Sequence, residues 1–162
     1  MIEGIFHIGI QSDDPTKLAA FYRDVLDMQV VGGSEDDPLR GTSVFLSNNP
    51  DQERHHLAIF QRHEFAHTAF RVDTLAGLLE QYRRVIARGI PIKRETNSGA
   101  GFAFFFDDPD GHMIEVYWPT GRECRQPYSA PIDLSLPEEA LRREAERFPM
   151  LAGAQGEGVG ER

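Results

Sequence analysis

The sequence contains a single cysteine, Cys124, among its 162 residues. One cysteine cannot form a disulfide within the chain, and without paired cysteines the sequence offers neither a zinc ribbon nor a redox motif. Any metal ion would therefore have to be held by histidine, aspartate or glutamate side chains.

Basic residues are also few, with 17 Lys and Arg against 26 Asp and Glu, and the formal net charge is −9. An acidic chain lacks the basic surface that binds phosphate backbones or anionic lipids, so we expect neither nucleic acid nor a membrane as a partner. No apolar run reaches the roughly 18 residues of a membrane span, and the N-terminus lacks the basic segment of a secretory signal. These absences predict a cytoplasmic protein.

The sequence does contain an internal repeat, which appears when residues 1–60 are aligned with residues 61–120. His7 then falls on His67, and the segments that follow align without a gap. Two units that are each too small to bury a core alone are expected to pack together as one domain. The other aligned pairs are Ile10 with Phe70, Leu18 with Leu78, Tyr22-Arg23 with Tyr82-Arg83, Val25-Leu26 with Val85-Ile86, and Val30 with Ile90.

Each repeat has the pattern of a strand, a helix and three further strands. Alternating apolar residues predict the first strand, and apolar residues spaced three and four apart predict one buried face of a helix. Short apolar segments separated by turns rich in Pro, Gly and Asp predict the remaining strands. The sequence therefore predicts an α+β fold, with βαβββ modules over residues 1–62 and 63–120 forming a single domain over residues 1–120.

A C-terminal arm over residues 121–150 follows the repeat, with a helix predicted over residues 136–147. Residues 151–162 are rich in Gly and Glu and are expected to form a disordered tail. The apolar stripe of the helix is narrow, so the helix should dock on another apolar surface. That surface could belong to the same sheet or to a second subunit, and we favour a homodimer to which the arm contributes.

Three polar residues lie on rows of the predicted strands that are otherwise apolar: His7, His67 and Glu115. A polar side chain in such a row needs a hydrogen-bonding partner or a metal ion. A lone histidine is more often a satisfied core or surface residue, but equivalent strands of a repeat would bring both imidazoles to one ion. Two histidines and one carboxylate with open positions form the facial triad typical of non-haem Fe(II) oxygenases.

The βαβββ repeat, the strands FHIGI and FAHTAF and the ending DPDGHMIEVYW resemble the vicinal oxygen chelate superfamily. This superfamily includes glyoxalases, bleomycin-resistance proteins and extradiol ring-cleavage dioxygenases, and the resemblance covers residues 2–118. It implies paired modules whose sheets curl into a cleft around one divalent metal ion, with His7, His67 and Glu115 as its ligands. Fe(II) is the favoured metal, and Mn, Zn or Ni are the alternatives.

Within the superfamily, the segment ERHHLAIF at residues 53–60 resembles the catalytic histidine strand of extradiol dioxygenases. The resemblance implies that His56 is the catalytic acid/base and that the neighbouring His55 points away from the site. Imidazole suits proton transfer because its pKa lies near neutrality.

The chain departs from that subfamily at Phe105, which aligns with a tyrosine of the dioxygenases. It also lacks their further histidine just before this strand. Either the substrate differs, or Glu95, Asn97 or Tyr117 replaces the missing hydroxyl.

The resemblance thus implies a metal-dependent enzyme that chelates vicinal oxygens of a small molecule. The favoured interpretation is an Fe(II) extradiol-type ring-cleavage dioxygenase that acts on a catechol-like compound. A glyoxalase or isomerase-type lyase with a Lewis-acid metal, and a metal-free drug-binding resistance protein, are the alternatives. Glyoxalases take a fourth ligand from the last strand of the first module, where His56 or Ala58 stands instead of glutamate.

Overall fold

The computed structural model describes residues 1–38, 40–50, 55–122, 124 and 128–150. These residues contain nine strands and three α-helices. None of the helices in the described part of the chain has the length and apolar character required to cross a membrane. The elements are β1 (Ile2–Gln11), α1 (Pro15–Leu26), β2 (Gln29–Asp37), β3 (Gly41–Ser47), β4 (Leu57–Phe60), β5 (His67–Val72), α2 (Leu75–Ala87), β6 (Arg94–Asn97), β7 (Gly101–Asp107), β8 (Met113–Pro119), β9 (Ala130–Pro131) and α3 (Glu138–Ala145).

The chain forms two compact units. The first, here called the site unit, contains Glu3–Arg71 and Phe106–Glu115. The second, here called the arm unit, contains Met1–Ile2, Val72–Phe105 and the described residues from Val116 onward.

In the site unit, strands β1 to β5 are neighbours in the sheet. The order of neighbouring strands is β2-β3-β4-β1-β5, and β1 pairs with β4 in parallel, with Ile8 opposite Leu57. Strand β3 is antiparallel to both β2 and β4. The first residues of β8, which include Glu115, lie next to β5.

Helix α1 covers one face of this part of the sheet. It begins after Asp14, whose carboxylate accepts a hydrogen bond from the backbone N–H of Lys17 at 2.9 Å, and Pro15 occupies a first-turn position that needs no amide donor. The apolar side of the helix packs on β3 and β4, because Leu18 and Tyr22 contact the buried cluster. This cluster consists of Ala19, Leu46, Leu57 and Ile59.

In the arm unit, the strands run in the order β8-β7-β6-β9. Strand β9 belongs to the C-terminal arm and pairs antiparallel with β6, with Thr96 opposite Pro131. Glu95 fixes this arrangement, since one of its carboxylate oxygens accepts from the Tyr82 hydroxyl at 2.8 Å and the other from the Leu134 N–H at 2.7 Å. Burial and the bond to Glu95 raise the pKa of Tyr82 to about 12, so its hydroxyl stays a donor.

The predicted α+β fold class is confirmed. In the site unit the first module has its strands in the order β2-β3-β4-β1, and in the arm unit the strands β6-β7-β8 of the second module are neighbours in the same sequence. The arm helix is shorter than predicted: α3 covers Glu138–Ala145, whereas the prediction was residues 136–147.

The other predictions about organisation stay predictions. They are the domain over residues 1–120, the arm over residues 121–150 as a separate segment, and the homodimer. The predicted tail at residues 151–162 lies outside the described residues.

Candidate metal centre

Three side chains of the site unit converge on one point. The Nε2 atoms of His7 and His67 are 2.7 Å apart, and a carboxylate oxygen of Glu115 lies 3.3 Å from the first and 3.0 Å from the second. His7 is 6% exposed and Glu115 is 7% exposed. The structure therefore brings together the three residues that the sequence singled out, while their role as metal ligands stays a prediction.

Strand alternation explains how β1 supplies both a ligand and the room for a second one. His7 and Gly9 lie on the same face of the strand. A Cβ atom at Gly9 would lie 3.0 Å from the His67 ring and 3.1 Å from the Phe60 ring, which is tighter than ordinary contact. Gly9 therefore leaves space for the His67 imidazole, a role that sequence reasoning missed. The signal in the sequence was a glycine two residues after His7.

The His67 ring is held by its second nitrogen. Its Nδ1 lies 2.7 Å from the carbonyl oxygen of Phe65, which ends the short 3₁₀ turn His63–Phe65. A carbonyl only accepts, so Nδ1 carries a hydrogen and Nε2 faces the centre, where its lone pair would be available to a metal ion once that nitrogen is unprotonated. This is the usual arrangement of a metal-binding histidine.

Glu115 is a buried carboxylate that stays ionised. Burial raises its pKa, but the hydrogen bonds with His67 and His7 outweigh burial and hold the pKa well below its usual range. The centre thus combines one negative charge with two imidazoles.

The donor set fits a divalent transition-metal ion. Nitrogen and oxygen ligands lie about 2.0–2.2 Å from such an ion, so two ligand atoms at right angles are about 3 Å apart. The distances of 3.0 Å and 3.3 Å from the carboxylate oxygen to the two Nε2 atoms match this spacing. Imidazole ligands favour Fe, Zn, Ni or Cu, whereas Ca²⁺ and Mg²⁺ prefer oxygen ligands.

Of the adjacent histidines His55 and His56, the first does not lie as the resemblance implied. The ring centroid of His55 is 4.4 Å from that of His7, so the expectation that His55 points away from the centre is wrong. The Nδ1 atom of His56 is 3.1 Å from the Ser47 hydroxyl oxygen. Strand β4 begins only at Leu57, so regular alternation does not fix the two preceding side chains.

His56 also lines a cavity of about 190 Å³ together with Glu3, Gly4, Ile5, Phe6 and Arg71. Its predicted catalytic role stays a prediction. The His55 ring lies against the ring of His7.

The candidate replacements for the missing tyrosine hydroxyl lie in the arm unit. Besides the two bonds of Glu95, the Asn97 side-chain oxygen accepts from the Gly99 N–H at 2.7 Å, and the Tyr117 hydroxyl donates to the Ala100 carbonyl at 3.1 Å. Each polar group therefore has a structural bond there. Phe105 is buried, and the Arg94 guanidinium lies 4.1 Å from its ring centroid.

Comparison with curated proteins gives relatives of three kinds: a metallothiol transferase, biphenyl-diol dioxygenases and lactoylglutathione lyases. Metallothiol transferase FosB from Shouchella clausii is 28% identical over 126 residues, which cover 74% of this chain and 83% of that protein. Biphenyl-2,3-diol 1,2-dioxygenase 3 from Rhodococcus globerulus is 29% identical over 122 residues, which cover 68% of this chain and 60% of that protein. The chain therefore spans less than two thirds of the dioxygenase.

A solved structure shares the fold. The Mn(II)-bound glyoxalase from Novosphingobium aromaticivorans superposes with a TM-score of 0.59 at 22% identity, covering 72% of this chain and 39% of that one. The model of the Glyoxalase/Bleomycin resistance protein/Dioxygenase superfamily matches residues 4–116. The chain therefore belongs to the Glyoxalase/Bleomycin resistance protein/Dioxygenase superfamily.

Proposed function

We propose that the protein is a metal-dependent enzyme that chelates two neighbouring oxygens of a small substrate, and that its reaction is Fe(II)-dependent extradiol-type cleavage of a catechol-like ring. The observation that supports this proposal is the convergence of His7, His67 and Glu115 within hydrogen-bonding distance. Three protein ligands leave coordination positions for substrate and dioxygen, which is typical of a catalytic site rather than a structural one.

Each residue of the triad has a separate task. His7 and His67 would hold the ion through Nε2, and the carboxylate of Glu115 would offset part of its positive charge. When bound, Fe(II) supplies Lewis acidity and the redox chemistry that lets a catecholate react with dioxygen.

Aromatic side chains form the wall beside the triad. Phe60 and Phe65 are buried and pack with Phe45, and the Phe60 ring centroid is 5.9 Å from that of His67. Such a wall excludes water and strengthens electrostatic interactions within the site.

Proton transfer is assigned to His56. Its bond to the Ser47 hydroxyl orients the imidazole, and the ring lines the cavity next to β1. A positioned imidazole can take a proton from a substrate hydroxyl and return it to the ring-opened product.

A second candidate is a lyase or isomerase in which the metal is only a Lewis acid. The match to lactoylglutathione lyase from Salmonella typhimurium covers 90% of that protein, whereas the match to the biphenyl-diol dioxygenase covers 60%. Of the two positions considered for a fourth glyoxalase ligand, Ala58 is fully buried on β4 and offers no ligand atom, which leaves His56.

Anaerobic loading with Fe(II), followed by a panel of catechols in aerated buffer, tests the proposal. We expect a yellow ring-fission product, with one dioxygen consumed per substrate cleaved. Glu115→Gln should abolish the colour, whereas the matched exposed variant Glu64→Gln should keep it. Iron binding without cleavage of any catechol, combined with turnover of a hemithioacetal, would instead favour the lyase. A chain that binds no metal would favour the metal-free binding protein.

A further inference from the structure

The two histidines of the triad are held in different ways. The Nδ1 atom of His67 bonds to the Phe65 carbonyl oxygen, whereas the Nδ1 atom of His7 is buried and has no hydrogen-bonding partner among the described residues. Metal-binding histidines almost always donate from the second nitrogen to a carbonyl, a carboxylate or water, which fixes the plane of the ring. The described contacts that can hold the His7 ring are therefore those with the rings packed around it.

Neighbouring rings surround the His7 imidazole instead. Its centroid lies 5.2 Å from that of Phe6, 4.9 Å from that of His67 and 4.4 Å from that of His55. His55 is the nearest of the three. Phe6 is near His7 because it precedes His7 in β1, whereas His55 belongs to a separate segment of the chain.

The His55 ring is itself fixed. It stacks on Phe45 with centroids 5.0 Å apart and planes inclined by 22°. Phe45 in turn contacts Phe60 edge-on at 6.0 Å, and Phe60 belongs to a buried cluster. A continuous row of rings thus connects the packed interior of the site unit to His7.

We propose that His55 is a positioning residue for His7: its ring, stacked on Phe45, fixes the plane of the ligand imidazole in place of the hydrogen bond that His67 makes. The proposal rests on the proposed metal site and concerns the ring of His55, not its nitrogen atoms. Phenylalanine should therefore replace His55 with little loss, whereas alanine should not.

Titration of the metal-free protein with Co(II) tests this inference without relying on activity. Absorbance of the bound ion gives the affinity and reports on the arrangement of the ligands. His55→Ala should weaken Co(II) binding about 10-fold to 100-fold, the range typical when support of a metal ligand is lost, and should broaden the spectrum. His55→Phe should stay within about threefold of the original protein. His63→Ala, which alters an exposed histidine, serves as the matched control.

Equal losses in His55→Phe and His55→Ala would overturn the proposal, because the nitrogen atoms would then matter rather than the ring. Unchanged binding in His55→Ala would overturn it as well. If His55→Ala does not fold, Phe45→Leu removes the stacking partner and should still weaken binding and alter the spectrum, and unchanged values there would also contradict the proposal. An original protein that binds no Co(II) would contradict the metal site itself, which is a distinct outcome.

Discussion

Glu95 in the arm unit and Glu115 in the site unit are carboxylates with opposite uses. Each oxygen of Glu95 accepts one hydrogen bond, from the Tyr82 hydroxyl and from the Leu134 N–H, so the group joins the arm to its sheet. In Glu115, a single oxygen faces the Nε2 atoms of both His7 and His67. A carboxylate whose oxygens are divided between separate donors builds structure, whereas one that converges with other ligand atoms is available for a ligand.

The helices of the two repeats differ in how far they are buried. Val25 in α1 is 60% exposed, while Val85, its equivalent in α2, is 8% exposed. In the arm unit α3 packs against α2. The repeat is thus symmetric in its strand order but not in what covers its helices.

The largest expected effect is the loss of metal in Glu115→Gln. This change keeps the shape of the side chain but removes the charge, so we expect Fe(II) affinity to fall by more than about 100-fold, beyond the effect usual for residues that only support a ligand. Elemental analysis after anaerobic loading and dialysis measures it. Glu95→Gln is the matched control and should retain the full metal content. Undiminished binding in Glu115→Gln would contradict the assignment of the triad.

A smaller effect is expected for proton transfer by His56. His56→Gln should leave the metal content unchanged and lower turnover by about 100-fold, the usual contribution of a positioned acid/base. Steady-state kinetics with parallel iron analysis test this. If the variant instead loses its metal, His56 is a ligand, and the four-ligand arrangement of a lyase gains support.

We expect Glu95, unlike Glu115, to affect stability rather than metal binding. Glu95→Gln places an amide where two donors now meet carboxylate oxygens, so at least one buried donor should lose its partner at a cost of about 1–3 kcal/mol. For a chain of this size, that corresponds to a melting temperature lower by about 2–10 °C. Calorimetry of Glu95→Gln against Glu139→Gln, an exposed change on α3, measures it. Equal melting temperatures would show that Glu95 does not hold the arm.

The fold and the triad could be predicted because both follow from local periodicity and from the repeat. Equivalence of His7 and His67 was visible in the sequence, and β-strand alternation then placed their side chains on corresponding faces. The orientation of His55 was missed, although the alignment of residues 1–60 with 61–120 places His55 on Glu115. The anchoring of the arm by Glu95 was also hidden, since its partner Leu134 lies 39 residues further along the chain.

The smallest expected effect is at an exposed carboxylate and histidine pair of the site unit, Asp108 and His112. The Nδ1 atom of His112 lies 2.9 Å from Asp108, and this hydrogen bond raises the pKa of His112 above its usual value of about 6.5. Because the folded-state pKa is the higher one, the stabilisation from this pair is complete below the unfolded pKa and is lost as the pH rises through the folded pKa. We therefore expect the pair to stabilise the protein most at pH values below the unfolded pKa of histidine and progressively less as the pH rises above it.

Titration of the His112 ring followed by NMR tests this prediction. Asp108→Asn keeps an oxygen that can accept the backbone N–H bonds but removes the charge, so the pKa of His112 should fall towards its usual value. Asp110→Asn is the matched control, and it should lower the pKa of His112 less, because Asp110 acts on His112 only through its charge. Equal shifts in the two variants would mean that general negative charge, rather than the hydrogen bond to Asp108, sets the pKa of this surface pair. The pair would then differ from the buried centre, where burial raises the pKa of Glu115 but the hydrogen bonds and charges of His67 and His7 outweigh it.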